Sequence, residues 1–219
     1  MTLSPSSQRC LAVVLAASAA FVVYGQTKLP ADVDPQSRAR LPYLKTAEAD
    51  PKGKKVYDLF GKGGTVTGPL AWASYNGAVG QALLDLHDAA ITGGTLDAHT
   101  RELAIMVACR ETNYNLEWNG HEASALRAGV DAKVLDIVKN KGALTGLDEK
   151  DATVIRFGRQ LYSDRKVDSA TFAKVVQLWG KRGAMDMVAA MNTYAVSGFF
   201  AIAVDEQAAE GKQPLPAVK

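Results

Sequence analysis

Residues 101–130 read RELAIMVACRETNYNLEWNGHEASALRAGV, and this stretch decides the fold class. Its first part, residues 101–111, is apolar on nearly every side of a helix, which is typical of a helix inside a domain. A polar stretch follows at once, with Glu117 and His121 four residues apart. Residues at this spacing share one face of a helix. The stretch therefore predicts a buried helix leading into a second helix that carries ionisable side chains.

The bulk composition is that of an ordinary globular protein. The chain has 219 residues, of which 47% are apolar and 22% are charged. This length supports one domain with a substantial core, or two small ones. The formal net charge is +2, and basic residues are scattered among acidic ones. We therefore expect no nucleic-acid partner.

Residues 1–25 have the order of regions found in a secretory signal peptide. Arg9 supplies a positive charge, residues 11–24 (LAVVLAASAAFVVY) are an uncharged run of 14, and Val23 and Gly25 are small residues at plausible cleavage positions. The run is shorter than the roughly 20 residues of a membrane-spanning helix. An uncleaved anchor is the alternative. We expect a periplasmic or secreted protein without membrane contact after cleavage.

The cysteine content predicts a fold held together by packing. Cys10 precedes the apolar run and leaves with the signal peptide, so Cys109 is the thiol of the mature chain. A single thiol forms no internal disulfide. Cys109 lies in the apolar run IMVAC, where a small buried hydrophobe is the expected role. A reactive thiol would need an accessible, electropositive setting.

Polar segments flank a long helical region. Residues 26–50 contain three prolines and predict an extended arm that wraps the domain or a neighbouring subunit. Residues 61–69 (GKGGTVTGP) lack the lysine–hydroxyl ending of a phosphate-binding P-loop, so they are interpreted as a plain loop. Residues 209–219 are interpreted as a C-terminal tail. This leaves residues 51–208 as one helical domain.

Helical periodicity runs through this domain. Residues 51–60 suit a short helix, and Asp97 or Thr100 can cap a helix over 101–112. One apolar stripe at helical spacing predicts the buried face of the helix before it: Val79, Leu83, Leu86 and Ala90. His87 lies among these positions, where a hydrogen-bonded core or interface histidine is the expected role.

The second half of the domain predicts further helices. Asp148 opens one over residues 149–163, and Gly183 separates the next from a last helix over 184–208. Residues 187–204 are 18 residues without a charge, a borderline membrane span, but four polar side chains favour a helix buried in the core and in a subunit interface: Asn192, Thr193, Tyr194 and Ser197. No useful alternating strand pattern occurs, so the predicted class is all-α.

Residues 101–130 resemble the central motif of the carboxymuconolactone decarboxylase family, which also contains the AhpD-like alkylhydroperoxidase accessory proteins. Residues 68–86 (GPLAWASYNGAVGQALLDL) resemble the helix before that motif, and residues 148–204 resemble the second half of the family's fold. The resemblance covers roughly residues 55–205. It implies an all-helical AhpD-like fold that forms homo-oligomers, trimers or hexamers, with the motif lining a pocket near subunit contacts.

One departure from the family pattern bears on the activity. The redox-active members carry a glutamate, then CxxC, then a histidine four residues after the second cysteine. Glu102 and His121 stand at the glutamate and histidine positions, but Tyr114 and Glu117 stand at the cysteine positions. A disulfide relay requires two thiols. The glutamate–tryptophan version, Glu117-Trp118, resembles the decarboxylase branch instead.

The candidate catalytic residues are His121, Glu117 and Glu102. If Asn113 or Asn115 caps a helix, Glu117 falls in its first turn and His121 one turn later. Glu117 can then hold the imidazole in one tautomer, and Glu102 can reach the same pocket as a second proton carrier. A buried carboxylate is costly unless it is hydrogen-bonded or protonated. The alternative is that Glu117 and His121 form a purely structural pair, which would stabilise the helix by about 0.2–0.5 kcal/mol.

Three further residues are assigned to substrate binding: Arg101, Tyr114 and Trp118. The family substrate is anionic, so a cation at Arg101 or Arg127 would help, although either can instead pair with a glutamate. Trp118 can form a pocket wall, though core packing is the commoner role for such an aromatic. We predict no metal site, because His87 and His99 lack ligand spacing to His121.

Three functions are therefore compared. The first is an exported, cofactor-free lyase acting on a small carboxylated lactone or related acid, with His121 delivering a proton to the carbon that loses CO2. The second is an AhpD-like peroxidase accessory protein, which the missing CxxC opposes. The third is a non-enzymatic oligomeric protein that binds a small molecule. Export opposes a strictly cytoplasmic catabolic role, so we expect a substrate other than the one in the family name.

The signal peptide gives the first testable prediction. Full-length chain with a C-terminal tag, produced in a Gram-negative host, should appear in the periplasm with a mass that begins at residue 26. A charge in the apolar run, Leu15→Arg, should abolish this processing because the run can no longer enter the translocation machinery. Intact mass and cell fractionation measure both. Full-length wild-type protein in the cytoplasm would contradict export.

Overall fold

A computed structural model of the chain describes residues 29–212 and 214–217. The predicted signal peptide and the first residues of the predicted arm lie outside the described residues. Within them the chain forms seven α-helices: α1 (Lys54–Phe60), α2 (Gly77–Thr92), α3 (Ala98–Glu111), α4 (Asn115–Arg127), α5 (Ala132–Lys139), α6 (Glu149–Arg159) and α7 (Ser169–Ala203).

The described residues form no β-strand, and their β-type pairing is limited to one isolated bridge between Lys45 and Thr65. Short 3₁₀ helices lie before α1 and between α1 and α2. The predicted all-α class is confirmed.

Helix α3 lies at the centre of the domain. Asp97, one of the two predicted caps, accepts a hydrogen bond from the Thr100 N–H at the first turn. Every residue from 103 to 110 is buried, and α4, α6 and α7 pack against the helix. Because α3 is covered on all sides, its neighbours must supply partners for every polar side chain that it carries.

The predicted buried face of α2 is right in part. Ala90 is buried and Leu83 packs against a core cluster. Val79 and Leu86, however, are 38% and 39% exposed, whereas Gly80 is buried. A Cβ atom at Gly80 would lie 2.9 Å from the Ser74 Oγ atom. The glycine therefore allows α2 to approach the preceding 3₁₀ turn, and this contact rotates the helix relative to the apolar stripe.

The last two helices differ from the predicted boundaries. The helix predicted over 149–163 is α6 followed by a π-helical turn at Gln160–Asp164. The predicted break before the last helix lies at Gly180 and not at Gly183, because Gly180 has a φ of +71° inside the otherwise helical α7. Glycine adopts this left-handed conformation without the steric cost of a side chain. Helix α7 ends at residue 203 instead of 208.

The turn between α3 and α4 also corrects an expectation. Neither Asn113 nor Asn115 caps α4, since Tyr114 occupies the N-cap position without a side-chain cap hydrogen bond. Asn113 has a φ of +53° and turns the chain, as asparagine does more readily than most residues. The Asn115 side-chain oxygen accepts a hydrogen bond from the Leu215 N–H, 2.6 Å between N and O.

Both ends of the described chain lie against the helical domain. Residues 29–50 form turns and a short 3₁₀ helix beside the end of α7, where the Arg40 N–H donates to the Val204 carbonyl at 2.7 Å. The C-terminal residues return to α3, where Arg110 donates to the Pro216 carbonyl at 2.6 Å.

In the described part of the chain, no helix is long and apolar enough to cross a membrane. The uncharged run over 187–204 belongs to α7, which buries Met187, Met191 and Tyr194 in the main core. Other apolar side chains of α7 are exposed, including Phe199 and Ile202. The homo-oligomer stays a prediction.

Close packing at Gly158 gives the second prediction. A Cβ atom there would lie 2.4 Å from Val107 Cγ1 and 3.2 Å from Met191 Cε, where α6 meets α3 and α7. Gly158→Ala should lower the free energy of unfolding by about 1–3 kcal/mol through overpacking. The matched control is Gly120→Ala in α4, whose Cβ meets nothing within 4 Å and which should be neutral or stabilising. Urea denaturation measures both, and equal effects would contradict the packing at Gly158.

Candidate functional site

His121 lies between two carboxylates. Its Nδ1 atom is 2.9 Å from Glu102 Oε2, and its Nε2 atom is 3.2 Å from Glu117 Oε2. The side chains of Glu102, Glu117 and His121 are 14%, 9% and 21% exposed. The structure thus brings the three predicted catalytic residues together in one largely buried cluster.

Two adjacent helices position this cluster. Glu102 belongs to the first half of α3, whose burial leaves its carboxylate dependent on a partner from another helix. Glu117 lies in the first turn of α4, where the helix dipole favours a negative charge, and His121 follows one turn later. The turn at Asn113 folds α4 back onto α3, so that His121 reaches Glu102 across the helix interface.

The two carboxylates keep the imidazole protonated. Burial disfavours the imidazolium, but the hydrogen bonds and negative charges of Glu102 and Glu117 outweigh burial and raise the pKa of His121 from 6.5 to about 9. At neutral pH the cluster therefore holds a proton-bearing, oriented imidazolium. This is the state that a general acid requires.

A small cavity of about 240 Å³ opens beside His121. Glu117 also lines it, whereas Glu102 lies behind the imidazole and is not among the lining residues. The apolar part of the wall comes from α1, α2 and the loop between them: Leu59, Phe60, Pro69, Leu70 and Leu84. None of the described lining residues is a lysine or an arginine. The cavity therefore combines one ionised polar region with an apolar wall and suits a small, largely apolar ligand.

Tyr194 and His87 form a second polar region of the cavity. The Tyr194 ring makes an edge contact with the His121 ring, with centroids 4.8 Å apart. The Tyr194 hydroxyl lies 3.4 Å from His87 Nε2, and His87 Nδ1 lies 3.4 Å from Asp88 Oδ1. The cavity thus has imidazoles from two different helices on either side of one phenol.

The sequence alone did not identify Tyr194 or His87 as site residues. The sequence held a signal for Tyr194, because Thr193, Tyr194 and Ser197 are polar residues in an uncharged, mainly apolar stretch of α7. All three line the cavity. The predicted apolar stripe of α2 did not contain His87 itself. A stripe that starts at the buried Gly80 would have included His87, which lies seven residues later on the same helical face.

The predicted substrate-binding residues lie outside this cavity. Trp118 is 2% exposed and belongs to the main core. Arg101 donates from its guanidinium to the Leu96 carbonyl at 3.3 Å. Arg127 donates to Ser124 on the surface. No cation proposed from the sequence therefore lines the cavity at His121.

Tyr114 lines a second, larger cavity of about 1210 Å³ between α4, the end of α7 and the chain termini. Glu206 also lines it, and burial, opposed by the Trp72 indole and increased by the Glu117 charge, raises the pKa of Glu206 to about 7. Burial, with the charges of Glu117 and Glu206, raises the pKa of the Tyr114 phenol well above its usual value. Tyr114 thus lines this larger cavity as a neutral phenol.

Cys109 is completely buried in α3. Burial, together with the negative charge of Glu117, raises the pKa of its thiol well above the usual value. The thiolate, which is the reactive form of cysteine, is therefore disfavoured. The predicted role of a small buried hydrophobe agrees with this position.

The described residues contain no group of three or more histidine, cysteine, aspartate or glutamate side chains arranged to hold a metal ion. His99 forms a separate pair with Asp151, 2.7 Å between Nε2 and Oδ1, away from His121.

Solved structures share this fold. An uncharacterised peroxidase-related protein from Silicibacter is 16% identical with a TM-score of 0.59, over 85% of this chain and 96% of that one. An AhpD-core, peroxidase-related protein from Ralstonia eutropha is 19% identical with a TM-score of 0.61, over 79% and 93%. The debrominase Bmp8 in complex with 2,3,4-tribromopyrrole is 12% identical with a TM-score of 0.58, over 77% and 90%. The fold is AhpD-like.

A family model matches part of the sequence. Residues 77–155 match the model of the carboxymuconolactone decarboxylase family. These residues span α2 to the first half of α6 and contain Glu102, Glu117 and His121. The predicted resemblance to this family is therefore confirmed over residues 77–155. Among curated proteins, none matches the sequence.

The raised pKa of His121 gives the third prediction. Its value of about 9 in the folded protein exceeds the unfolded value of about 6.5. The paired imidazolium therefore increases the free energy of unfolding by up to about 3 kcal/mol. This stabilisation is complete below pH 6.5 and is lost as the pH rises through about 9. Urea denaturation between pH 6 and pH 10 should show this loss in wild type and not in His121→Asn. An NMR titration of His121 with a midpoint at or below 6.5 would contradict the paired geometry.

Proposed function

We propose that the protein is a cofactor-free acid–base enzyme, a lyase that removes CO2 from a small ring acid such as a carboxylated lactone. The observation that carries this proposal is the imidazolium of His121, held between Glu102 and Glu117 at the edge of a small, mainly apolar cavity. A general acid needs a proton, a fixed orientation and access to the substrate. The cluster supplies the first two, and the cavity supplies the third.

The two carboxylates have different roles in this proposal. Glu102 accepts the Nδ1–H hydrogen bond from behind the imidazole and so orients the ring. Glu117 lies beside Nε2 on the cavity side and shares the proton there. The sequence assigned the orienting role to Glu117, but the shorter contact and the position outside the cavity favour Glu102 for it.

The proposed reaction needs no oxidant or reductant. The bond between the ring carbon and the carboxylate breaks, CO2 leaves, and the electron pair passes to a conjugated carbonyl oxygen. His121 Nε2–H then delivers its proton to the carbon, and the imidazole regains a proton from solvent. The apolar wall favours the step because a carboxylate becomes uncharged CO2 in an environment that disfavours the charge.

The charges around the cavity narrow the substrate class. Glu102 and Glu117 together exceed the single charge of His121, and no lysine or arginine lines the cavity. A substrate with two carboxylates would be repelled. We therefore propose a small ring acid with one carboxylate. A debrominase of the same fold binds 2,3,4-tribromopyrrole, which supports a small ring as the ligand.

The peroxidase alternative has support from the comparisons. Two structural neighbours are peroxidase-related proteins. Against it, Cys109 is buried with a raised pKa, and Tyr114 and Glu117 stand where the redox-active relatives carry cysteines. If Cys10 leaves with the predicted signal peptide, a thiol-dependent cycle has no second thiol to resolve the first. The remaining alternative, a protein that binds a ring compound without converting it, predicts binding without product.

Location and assembly are part of the proposal. The N-terminal pattern supports action in the periplasm or outside the cell. Exposed apolar side chains on α2 and α7, among them Leu86 and Phe199, support assembly into a homo-oligomer.

Replacement of His121 gives the fourth prediction. His121→Asn should lower kcat/KM for decarboxylation by about 100- to 10,000-fold, because the proton donor is removed. The matched control is His99→Asn, which removes an imidazole paired with Asp151 outside the cavity and should leave turnover unchanged. The assay follows absorbance and CO2 release with 4-carboxymuconolactone and with ring lactones that carry one carboxylate.

The substrate comparison tests the charge argument separately. Faster turnover of monocarboxylates than of 4-carboxymuconolactone is expected. Wild-type activity retained in His121→Asn would refute the mechanism, and a preference for the dicarboxylate would refute the substrate class.

A further inference from the structure

The hydrogen-bond donors that line the small cavity are mostly engaged. Thr193 Oγ1 donates to the Ala189 carbonyl at 2.8 Å, and Ser197 Oγ lies within 3.4 Å of the Thr193 carbonyl. His121 Nδ1 is bonded to Glu102, and Nε2 faces Glu117. Thr193 and Ser197 therefore cannot donate to a ligand without losing a partner inside the protein. The His121 Nε2 proton is the one that the proposed reaction transfers to carbon.

The Tyr194 hydroxyl is different. Its partner is His87 Nε2 at 3.4 Å, which is long for an O–H donor. The ring is held firmly, since Tyr194 is 6% exposed, packs with the main core and makes an edge contact with His121 at 4.8 Å. A fixed ring with a weakly engaged hydroxyl can redirect its hydrogen to a ligand at small cost.

The charges nearby keep this hydroxyl protonated. Burial, followed by the negative charges of Glu117 and Glu102, raises the pKa of Tyr194 far above its usual range. The phenol therefore acts as a hydrogen-bond donor and does not compete with His121 as a base.

We propose that Tyr194 is a catalytic residue that donates its phenol hydrogen to a carbonyl oxygen of the ring substrate, and that His87 positions it. The inference rests on the proposed function and extends it, because decarboxylation sends an electron pair to such an oxygen. The hydrogen bond from Tyr194 stabilises the enolate oxygen that forms as CO2 leaves. His121 returns the proton to carbon, and Tyr194 keeps its own hydrogen throughout.

His87 fits the positioning role through its second contact. Its Nδ1 lies 3.4 Å from Asp88 Oδ1, and Asp88 lies 2.9 Å from the Lys55 ammonium. With Nδ1–H donated to Asp88, the His87 Nε2 atom is left as an acceptor beside the phenol. Its 3.4 Å contact orients the Tyr194 hydroxyl but holds it weakly, so the phenol hydrogen can turn to a ligand carbonyl.

The assignment specifies a ligand class that can be probed without turnover. Phthalide is a neutral ring lactone with one carbonyl and no carboxylate to lose, and phthalan is the same ring system without the carbonyl. With ¹³C at the phthalide carbonyl, the infrared stretch of bound ligand should shift to lower frequency in wild type. Tyr194→Phe should abolish this shift and weaken phthalide binding about two- to tenfold, with no change for phthalan.

Two variants serve as controls. Tyr162→Phe removes a buried hydroxyl that is 3.2 Å from Asn192 Oδ1 and does not line the cavity, so it should leave the carbonyl shift intact. Replacement of Tyr194 by 3-fluorotyrosine keeps the packing and makes the phenol a stronger donor, so it should enlarge the shift. This second variant tests the assignment even if Tyr194→Phe fails to fold.

The outcomes separate this inference from the proposed function. A carbonyl shift that persists in Tyr194→Phe, equal loss of phthalide and phthalan binding, or no phthalide binding to wild type would overturn the role of Tyr194. If no ring acid is decarboxylated but the shift depends on Tyr194, the lyase proposal fails and the carbonyl site stands. If turnover occurs, Tyr194→Phe should lower kcat by about 100-fold or more with little change in KM.

Discussion

The burial of α3 on every side governs the architecture. Residues 103–110 are all buried, and α4, α5, α6 and α7 pack around the helix. A helix in this position cannot send a polar side chain to water, so each polar group needs a partner from a neighbouring helix. For Glu102 that partner is His121 of α4. The ion pair therefore joins two helices and places a charged imidazole at the inner end of a cavity.

The same burial explains why acid–base chemistry is favoured over thiol chemistry. A buried environment penalises every charge, and it leaves Cys109 as a neutral thiol. For His121 the cost of burying a charge is offset, because two carboxylates contact its two ring nitrogens. Charge is thus maintained beside the apolar wall of the cavity, which is an arrangement that strengthens the effect of an ionised group on a bound molecule.

Prediction from the sequence worked where local chemistry decides the structure. Asp97 and Asp148 cap helices as predicted, since their side chains accept hydrogen bonds from nearby backbone N–H groups. It failed at two glycines. Gly80 lets α2 approach the preceding 3₁₀ turn closely, and Gly180 breaks α7 because it adopts a φ of +71°, and apolar periodicity describes neither effect.

The candidate site also contains one contact that local sequence determines and others that depend on the packing of distant helices. Glu117 and His121 are four residues apart on one helix, so the chain itself brings them together whatever the rest of the fold does. The contact of Glu102 with His121 spans 19 residues, and that of His87 with Tyr194 spans 107. These pairs exist only after α2, α3, α4 and α7 have packed, since the free energy of burying their apolar faces, and not any local preference, sets the distances between them.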